Sequence, residues 1–406
     1  MDKDYYTKGR KKIGFYSFFR NVLIARANGK FIRFTSRLLP YQPDFIFFTH
    51  PRNEEDIDAT IPFIKRLRKV VPSGLIRWTL NLSPCHVVAY VRGPSNKRGY
   101  VISVTELPER LFASRELTAR LIKESVSFFK KISPKKIYVG LAAWWPIVSN
   151  SGLVFQKYLA ANGNILVTSG HTATLASIFL SVTKLSEIFQ IPLSELKLLI
   201  IGVGKVGGAL ADLFIGKVQK LGLVDKNPMR IQSLSINLTT KSNASTIEPI
   251  PVDDADTEGT ICRKIQEYDI TVCTTSNIGL LVKDPAKLQN CVILDDSRPE
   301  AFPRVFSRER GVVVLEGGLM RIPGIRLDSD FGFGKEENVF GCLSEAVILA
   351  LDGGKTIQPN IGEVDYENLL RLIEFCNHSG ITVGEFKCGT ETIKPADLSK
   401  LTSLNR

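Results

Sequence analysis

The stretch Leu196-Lys-Leu-Leu-Ile-Ile-Gly202-Val-Gly204-Lys-Val-Gly207-Gly-Ala-Leu-Ala211 decides the fold of this chain. It has the order of an apolar strand, a glycine turn and the first turn of a helix, which is the order that a dinucleotide site requires. In such a site Gly202 allows the tight turn, Gly204 lets the backbone approach a pyrophosphate, and Gly207 lets the helix lie close to the strand. Asp225 ends the next apolar run, near the offset of about 20 residues where a ribose-binding carboxylate is expected. The pattern predicts NAD(P) binding, and its alternative is a plain glycine turn.

Further cofactor contacts are expected in the glycine loop and at the ends of later apolar runs. These candidates are Lys205, Val206, Lys226, Thr274, Thr275 and Ser276. The segments 295–299 and 316–318 also follow strands, and they are either cofactor or substrate contacts or ordinary turns. A carboxylate at position 225 would repel the 2′-phosphate of NADPH and favour NADH. Lys226 and Arg230 are close in sequence and would offset part of that repulsion, so both NADPH and NADH stay open as cofactors.

From residue 197 onward, short apolar runs alternate regularly with helical or loop segments. Strands are predicted near 197–202, 221–225, 247–252, 269–274, 291–295 and 311–315, and upstream at 44–50, 85–91, 99–104 and 136–141. Helices are predicted over 54–71, 108–131 and 172–189. The alternation predicts an α/β fold, a Rossmann-type doubly wound parallel sheet with an N-terminal α/β substrate domain and a C-terminal helical segment. The predicted boundaries are 1–44 for a basic extension, 45–195 for the substrate domain, 196–325 for the NAD(P)-binding domain and 326–406 for the C-terminal segment.

The composition is typical of a soluble globular protein, with 44% hydrophobic and 23% charged residues in a chain of 406. No signal peptide and no membrane-spanning segment are expected. Seven cysteines without a CxxC pair suggest reduced thiols in a cytoplasm. The four histidines are widely spaced and none forms a metal motif with a cysteine, so no metal is expected.

The formal net charge of +12 is concentrated near the N-terminus, where residues 1–40 hold ten Lys and Arg against Asp2 and Asp4. Aromatic residues are interleaved with these cations. A basic, aromatic segment fits an anionic membrane surface, which residues 8–37 would contact, or an acidic protein, and it equally fits a solvated arm. Nucleic acid is not expected, because no nucleic-acid-binding motif accompanies the charge. The predicted location is cytoplasmic, with contact to a membrane as the alternative.

A cysteine lies near the start of an apolar helix in Asn338-Val-Phe-Gly-Cys342-Leu-Ser-Glu345-Ala346. The positive end of a helix favours a thiolate, so Cys342 is a candidate nucleophile, and a buried core cysteine is the alternative. Glu345, on the same helical face, would either orient a group in the site or form a structural hydrogen bond, and the structural role is the expected one.

Three blocks carry a resemblance to a known family. They are Cys291-Val-Ile-Leu-Asp-Asp-Ser-Arg-Pro299, Gly311-Val-Val-Val-Leu-Glu-Gly-Gly-Leu319 and Val339-Phe-Gly-Cys342-Leu-Ser-Glu345-Ala346. They resemble the segments LIDGGYP, VLNGG and FACFAE of the long-chain acyl-(acyl-carrier-protein) reductases, the cyanobacterial-type enzymes that make fatty aldehydes. Looser similarity at 107–115 and 167–174 extends the match over about residues 45–387.

The resemblance implies that NADPH or NADH reduces an acyl thioester to an aldehyde. Cys342 would form the acyl-enzyme, His171 would give or take a proton, and an acidic acyl carrier protein or acyl-CoA would donate the acyl group. The sequence departs from the family at three points. The phosphate loop GATGDIG is Gly202-Val-Gly-Lys-Val-Gly207 here, GGYP is Asp296-Ser-Arg-Pro299, and the family's histidine lies two residues later than His171.

Two other functions are compatible with the same residues. One is a dehydrogenase of a small hydroxy or keto substrate, related in layout to shikimate-type dehydrogenases, which would need no cysteine. The other is a non-catalytic dinucleotide-binding module that senses redox state or scaffolds a pathway. The first predicts that Cys342→Ser leaves activity intact, and the second predicts binding without turnover.

Overall fold

The computed structural model describes residues 11–28, 31–133, 135–159, 163–252, 257–276, 280–297, 299–331 and 337–401. The strands are β1 (Phe45–Thr49), β2 (His86–Arg92), β3 (Arg98–Ser103), β4 (Ile137–Leu141), β5 (Ile165–Thr168), β6 (Lys197–Ile201), β7 (Lys220–Asp225), β8 (Thr246–Pro251), β9 (Ile270–Cys273), β10 (Cys291–Asp295), β11 (Phe306–Ser307), β12 (Val312–Glu316), β13 (Leu319–Arg321), β14 (Arg326–Leu327), β15 (Asn338–Phe340), β16 (Thr382–Val383), β17 (Lys387–Cys388) and β18 (Glu391–Thr392). The helices are α1 (Phe15–Arg26), α2 (Ile32–Thr35), α3 (Glu54–Thr60), α4 (Pro62–Leu67), α5 (Ser73–Leu80), α6 (Pro108–Ala113), α7 (Arg115–Ile132), α8 (Trp145–Val148), α9 (Leu153–Leu159), α10 (His171–Phe189), α11 (Lys205–Phe214), α12 (Pro228–Lys241), α13 (Thr257–Ile265), α14 (Gly341–Asp352), α15 (Tyr366–His378) and α16 (Pro395–Leu398).

The described chain divides into two units. The amino-terminal unit contains the described residues up to Ala173 together with Ile322–Ile381. The glycine-loop unit contains Thr174–Arg321 and the described residues from Thr382 onward. The described part of the basic extension 1–44, called the basic segment below, therefore belongs to the amino-terminal unit, as does α14, which carries Cys342.

The glycine-loop unit is built on a sheet with the strand order β11-β12-β10-β9-β6-β7-β8. Its neighbouring strands are parallel except for the short edge pair β11–β12. From β8 to β12 this is the order of a doubly wound nucleotide-binding sheet, and the winding reverses between β6 and β9. Residues 198–201 of β6 are buried, as expected for a parallel sheet that is covered on both faces. The predicted fold class is confirmed.

The amino-terminal unit has its own sheet, with the strand order β14-β2-β3-β1-β4-β5. β1 is parallel to β3 and β4, and β4 is parallel to β5, whereas β2 is antiparallel to β3. Every residue of β4 is buried. The parallel strands β1, β3, β4 and β5 therefore end at one edge of the sheet, where parallel α/β sheets place their ligands.

Two of the predicted long helices are broken. The helix expected over 54–71 ends at Thr60 and a second begins at Pro62, because the residue before a proline is disfavoured in the helical conformation. The helix expected over 108–131 is interrupted at Ser114, whose hydroxyl accepts the backbone N–H of Leu117 and caps α7. The sequence patterns also missed α1 and α2 within the basic segment, α5, and β5.

The helix α10 is long and apolar enough to cross a membrane by length and composition, with a mean hydropathy of 1.2. Of the apolar stretch of this helix, 61% is buried inside the protein. Core helices of soluble proteins can have the same length and composition, so this helix alone does not indicate a membrane span.

Candidate functional site

The glycine loop joins β6 to α11. Gly202 has a φ of +89°, which glycine adopts without strain. A Cβ on Gly207 would lie 2.0 Å from the carbonyl oxygen of Gly202, whereas a Cβ on Gly204 would meet no atom within 4 Å. The helix start therefore packs tightly on the turn, and the backbone at Gly204 faces open space. A pyrophosphate bound at a helix start needs both features: a helix packed closely on the turn, and a backbone that the phosphates can approach.

Asp225 is fixed beside this loop at the end of β7. Its Oδ2 accepts the backbone N–H of Val203 at 3.0 Å, and its Oδ1 accepts that of Asn227 at 2.9 Å. The Arg230 guanidinium donates to the two oxygens at 3.3 and 3.4 Å. A carboxylate in this place suits the ribose of a dinucleotide, and Arg230 supplies the positive charge that a 2′-phosphate would need. The residues at this point leave both NADH and NADPH open as the cofactor.

The remaining predicted cofactor residues belong to the same unit and are all at least partly exposed: Lys205, Val206, Lys226, Thr274, Thr275 and Ser276. The end of β9 lies directly against the glycine loop. The Thr274 hydroxyl donates to the Gly202 carbonyl at 2.8 Å, and a Cβ on Gly202 would lie 3.0 Å from the backbone of Thr275. The structure thus brings the ends of β6, β7 and β9 together, and the residues present there fit a dinucleotide.

The ends of β10 and β12 are tied by a buried ion network. Arg304 donates to Asp295 at 2.9 Å and, through two nitrogens, to Glu316 at 2.7 and 3.1 Å. Asp295 also accepts the backbone N–H groups of Ala301 and Phe302. These side chains are at most 11% exposed. Asp295 and Glu316 therefore have structural partners, and no sequence pattern indicates that Arg304 would join them.

Cys342 lies where α14 and the first turn of α10 begin, and the described residues of both starts belong to the amino-terminal unit. It is the second residue of α14 and is half-buried. Gly170, with a φ of +80°, directly precedes His171, the first residue of α10. A Cβ on Gly170 would lie 2.8 Å from the Cβ of Cys342 and 2.9 Å from the carbonyl oxygen of Leu141 at the end of β4. Because each helix start carries a partial positive charge, both favour negative charge on the Cys342 sulfur.

Glu345, one turn further along α14, connects these two helix starts. Its Oε2 accepts the backbone N–H of Ala173 at 2.9 Å, and its Oε1 accepts the hydroxyl of Thr168. Burial raises the pKa of the Glu345 carboxyl to about 7, while the hydrogen bonds from Thr168, Ala173 and Thr172 act to lower it. A carboxyl group at the start of α10 is favourably placed for the helix dipole. Glu345 therefore has the structural role that the sequence suggested.

His171 and Cys342, the two predicted catalytic residues, lie at the same edge of the amino-terminal unit. His171 is half-exposed, and its backbone N–H donates to the hydroxyl of Ser169 at 3.3 Å. Sequence reasoning missed Asn360, whose N–H donates to the Thr168 hydroxyl at 3.1 Å and whose carbonyl accepts the Ser169 N–H at 2.8 Å. Asn360 belongs to an irregular segment with no periodic pattern. Gly170 did leave a signal, since a glycine before a helix marks a special backbone position.

The other cysteines, at positions 85, 262, 273, 291, 376 and 388, are buried. Burial raises the pKa of Cys376 to about 12 and that of Cys388 to about 11. Among the described cysteines, Cys342 is thus the most accessible to a reagent or substrate. In the described part of the chain, no group of three or more His, Cys, Asp and Glu side chains is arranged to hold a metal ion.

The buried carboxyl of Glu345 should make folding depend on pH. Its pKa is raised, so the folded chain holds the proton more tightly than the unfolded chain, and the resulting stability is lost as the pH rises from about 4.5 to about 7. We expect the free energy of unfolding of the wild type, relative to that of Glu345→Gln, to fall by up to about 3 kcal/mol across this window. Urea denaturation of both proteins at pH 5 and pH 8 measures the difference.

The control is Glu367→Gln in the same unit, because the Glu367 side chain is 84% exposed. Its stability relative to the wild type should be nearly independent of pH. A Glu345→Gln difference that also stays constant between pH 5 and pH 8 would show that Glu345 keeps an ordinary pKa in the folded protein.

Comparison with known proteins gives likenesses of fold at low identity. A dipicolinate synthase from Bacillus halodurans is 15% identical over 49% of this chain and 61% of its own, with a TM-score of 0.28. Shikimate dehydrogenase from Aquifex aeolicus is 14% identical over 82% of this chain and 99% of its own (TM-score 0.33), and hetero-hexameric glutamate dehydrogenase from Thermus thermophilus is 14% identical over 90% and 81% (TM-score 0.40). No family model matches the sequence, and no curated protein is significantly similar to it. The function is therefore argued from the residues of this chain.

Proposed function

We propose that this chain is an NAD(P)-dependent oxidoreductase that reduces an acyl thioester through an acyl-enzyme on Cys342. The observation that carries the proposal is the meeting of the first turns of α10 and α14 at a partly exposed thiol. The glycine loop, with Asp225 fixed beside it, supports the dinucleotide half of the proposal. The resemblance of 339–346 to the cysteine segment of the acyl-(acyl-carrier-protein) reductases supports the choice of a thioester.

In the proposed reaction the Cys342 thiolate attacks the carbonyl carbon of the thioester, the bond from that carbon to the donor sulfur breaks, and the acyl group is transferred to Cys342. The two helix starts stabilise the charge that develops on the carbonyl oxygen. The donor leaves as a thiolate and takes up a proton, for which His171 at the start of α10 is the candidate source. When bound, a reduced nicotinamide supplies a hydride, and the acyl group leaves the Cys342 sulfur as an aldehyde.

The cofactor would be held by this chain's backbone and a few side chains. The N–H groups at the start of α11 face a pyrophosphate, and Lys205 adds positive charge there. Asp225 would bind the ribose hydroxyls of NADH, and Lys226 and Arg230 would supply positive charge for the extra phosphate of NADPH. Thr274, Thr275 and Ser276 follow β9, whose end lies against the glycine loop, and they would contact the part of the cofactor beyond the pyrophosphate.

The proposed acyl donor is an acyl carrier protein or acyl-CoA, and the proposed location is the cytoplasm. Both donors are negatively charged, and the chain has a formal net charge of +12. Opposite net charges speed the encounter of two macromolecules. The run of Lys and Arg residues at 65–69, on and after α4, is one candidate contact for an acidic carrier protein.

The test is intact-mass measurement after incubation with a long-chain acyl thioester in the absence of reduced nucleotide. We expect the mass to rise by one acyl group, and we expect addition of NADH or NADPH to remove the adduct and release aldehyde. Running the reaction with acyl carrier protein and coenzyme A donors, and with each nucleotide, identifies both substrates. No adduct with either donor would refute the acyl-enzyme.

A dehydrogenase of a small hydroxy or keto substrate is the second candidate. The observation that favours it is the partly buried His171 at a helix start, because an imidazole side chain suits proton transfer to or from a hydroxyl. That enzyme would oxidise hydroxy acids with NAD(P)+ and would be unaffected by alkylation of Cys342. A nucleotide-binding sensor would bind NAD(P)H and turn over neither class of substrate.

A further inference from the structure

An exposed apolar face runs along α1. Phe15, Tyr16, Phe19 and Leu23 expose 65%, 80%, 40% and 57% of their surface. At about 100° per residue these positions share one arc of the helix. The opposite arc faces the interior of the amino-terminal unit, where Phe18 and Ile24 are fully buried together with Asn21. A surface helix normally turns a polar face to solvent, so the exposed arc of α1 needs an explanation other than packing within this unit.

The same pattern continues on the neighbouring helix α2. Phe31, Ile32, Phe34 and Leu38 are between 37% and 59% exposed. With Phe15, Tyr16, Phe19 and Leu23 they form a set that we call the aromatic face. From α4, the half-buried Phe63 extends it, since its ring centroid lies 5.6 Å from that of Phe15. The aromatic face gathers eight large exposed apolar side chains within 24 residues of sequence.

The segment that carries the aromatic face is basic, since the sequence has Lys and Arg but no acid between Asp4 and Asp44. Lys12, Arg26 and Arg37 are exposed. The Arg37 guanidinium lies 5.7 Å from the ring centre of Phe34. Residues 8–10 and 29–30, which the sequence also predicts to contact a membrane, lie outside the described part of the chain. The described cations of this segment thus share it with the exposed aromatic residues, and Arg37 lies against one of the exposed rings.

We infer that the aromatic face binds the surface of a membrane that contains anionic lipids. Phe and Leu side chains of a helix that lies in the interface enter the boundary of the acyl chains, and Lys and Arg beside them interact with anionic headgroups. An acidic protein would match the charge, but it would have to present an apolar surface shaped to two short helices. A fluid bilayer adapts to them. The inference does not depend on the chemistry at Cys342.

The experiment is co-sedimentation of the full chain with vesicles of phosphatidylcholine, either pure or containing about 30% phosphatidylserine. We expect binding to the anionic vesicles, much weaker binding to the neutral ones, and a decrease with added salt. Phe15→Ser/Phe19→Ser should lower the partition coefficient by at least about tenfold, since it removes two large apolar groups. Lys12→Gln/Arg37→Gln should weaken binding to the anionic vesicles and leave binding to the neutral ones unchanged.

The matched control is Met229→Ser/Ile236→Ser on α12, because these side chains are 73% and 61% exposed and are not part of the aromatic face. It should bind vesicles like the wild type. If Phe15→Ser/Phe19→Ser does not fold, Tyr16→Ser replaces it, since this side chain is 80% exposed. Equal binding of the aromatic-face variant and the wild type, or no binding of the wild type, would overturn the inference. So would dimers in sedimentation velocity that disappear in the variant without any vesicle binding, because the face would then belong to a second copy.

Discussion

Replacing Cys342 by serine is expected to lower the rate of acyl-enzyme formation by at least about a thousandfold. A serine hydroxyl in the same place is almost entirely protonated at neutral pH, and the two helix starts cannot ionise it to a useful extent. Release of aldehyde from the thioester should fall by the same factor. Nucleotide binding should not change, because the residues proposed to hold the nucleotide, the glycine loop and Asp225, are left intact. Intact-mass measurement and an aldehyde assay on the same samples give the two rates.

The matched control is Cys376→Ser, in the same unit, whose thiol is buried and has its pKa raised to about 12 by that burial. It should form the adduct at the wild-type rate. Iodoacetamide applied to the native wild type should label Cys342 ahead of the buried cysteines and block acylation. Full aldehyde release by Cys342→Ser would rule out the covalent route, because the thioester would then be reduced without an acyl-enzyme on Cys342.

The glycine-loop unit was predictable from sequence because its signals are local. Strand, turn and helix follow each other within 16 residues at 196–211, and the close approach at Gly207 is a property of that turn. The order of the strands follows from the regular alternation of strands and helices, which permits few topologies. Asp225 could be located in the same way, since the end of the next parallel strand must lie beside the loop.

The site at Cys342 was predictable only in part, because its members come from distant segments. The sequence and its family resemblance pointed to Cys342 and His171, yet nothing in a periodic pattern shows that Gly170 touches Cys342 or that Asn360 supports Thr168. Such contacts depend on how two helices and two strand ends pack. The breaks at Pro62 and Ser114 depend on local backbone chemistry that an apolar periodicity does not report.

The exposed side of α1 shows a third limit of sequence patterns. A helix with apolar residues on both faces is expected to be buried. The sequence of the basic segment did not show which of its aromatic residues pack against the protein and which face solvent. The structure separates the buried Phe18 from the exposed Phe15 and Phe19. That separation depends on which surface the helix docks against, a tertiary property.

Gly207→Ala is expected to destabilise the glycine-loop unit by about 2 kcal/mol or more and to abolish NAD(P)H binding. The new Cβ would lie 2.0 Å from the Gly202 carbonyl oxygen, which is backbone and cannot rotate away. The start of α11 would have to move from the end of β6. Urea denaturation and fluorescence titration with NADH and NADPH measure the two effects.

Gly204→Ala, in the same loop, is expected to weaken nucleotide binding without destabilising the fold. Gly204 has a negative φ of −71°, and a Cβ there would meet no atom of the protein within 4 Å. Folding should therefore change by no more than about 0.5 kcal/mol. The methyl group would occupy the space through which a pyrophosphate approaches the backbone, so nucleotide affinity should fall by at least about tenfold. A stable Gly204→Ala protein with unchanged affinity would mean that this loop is a plain turn. A stable protein with reduced affinity would separate binding from folding, because in this variant only a bound ligand meets the added atom.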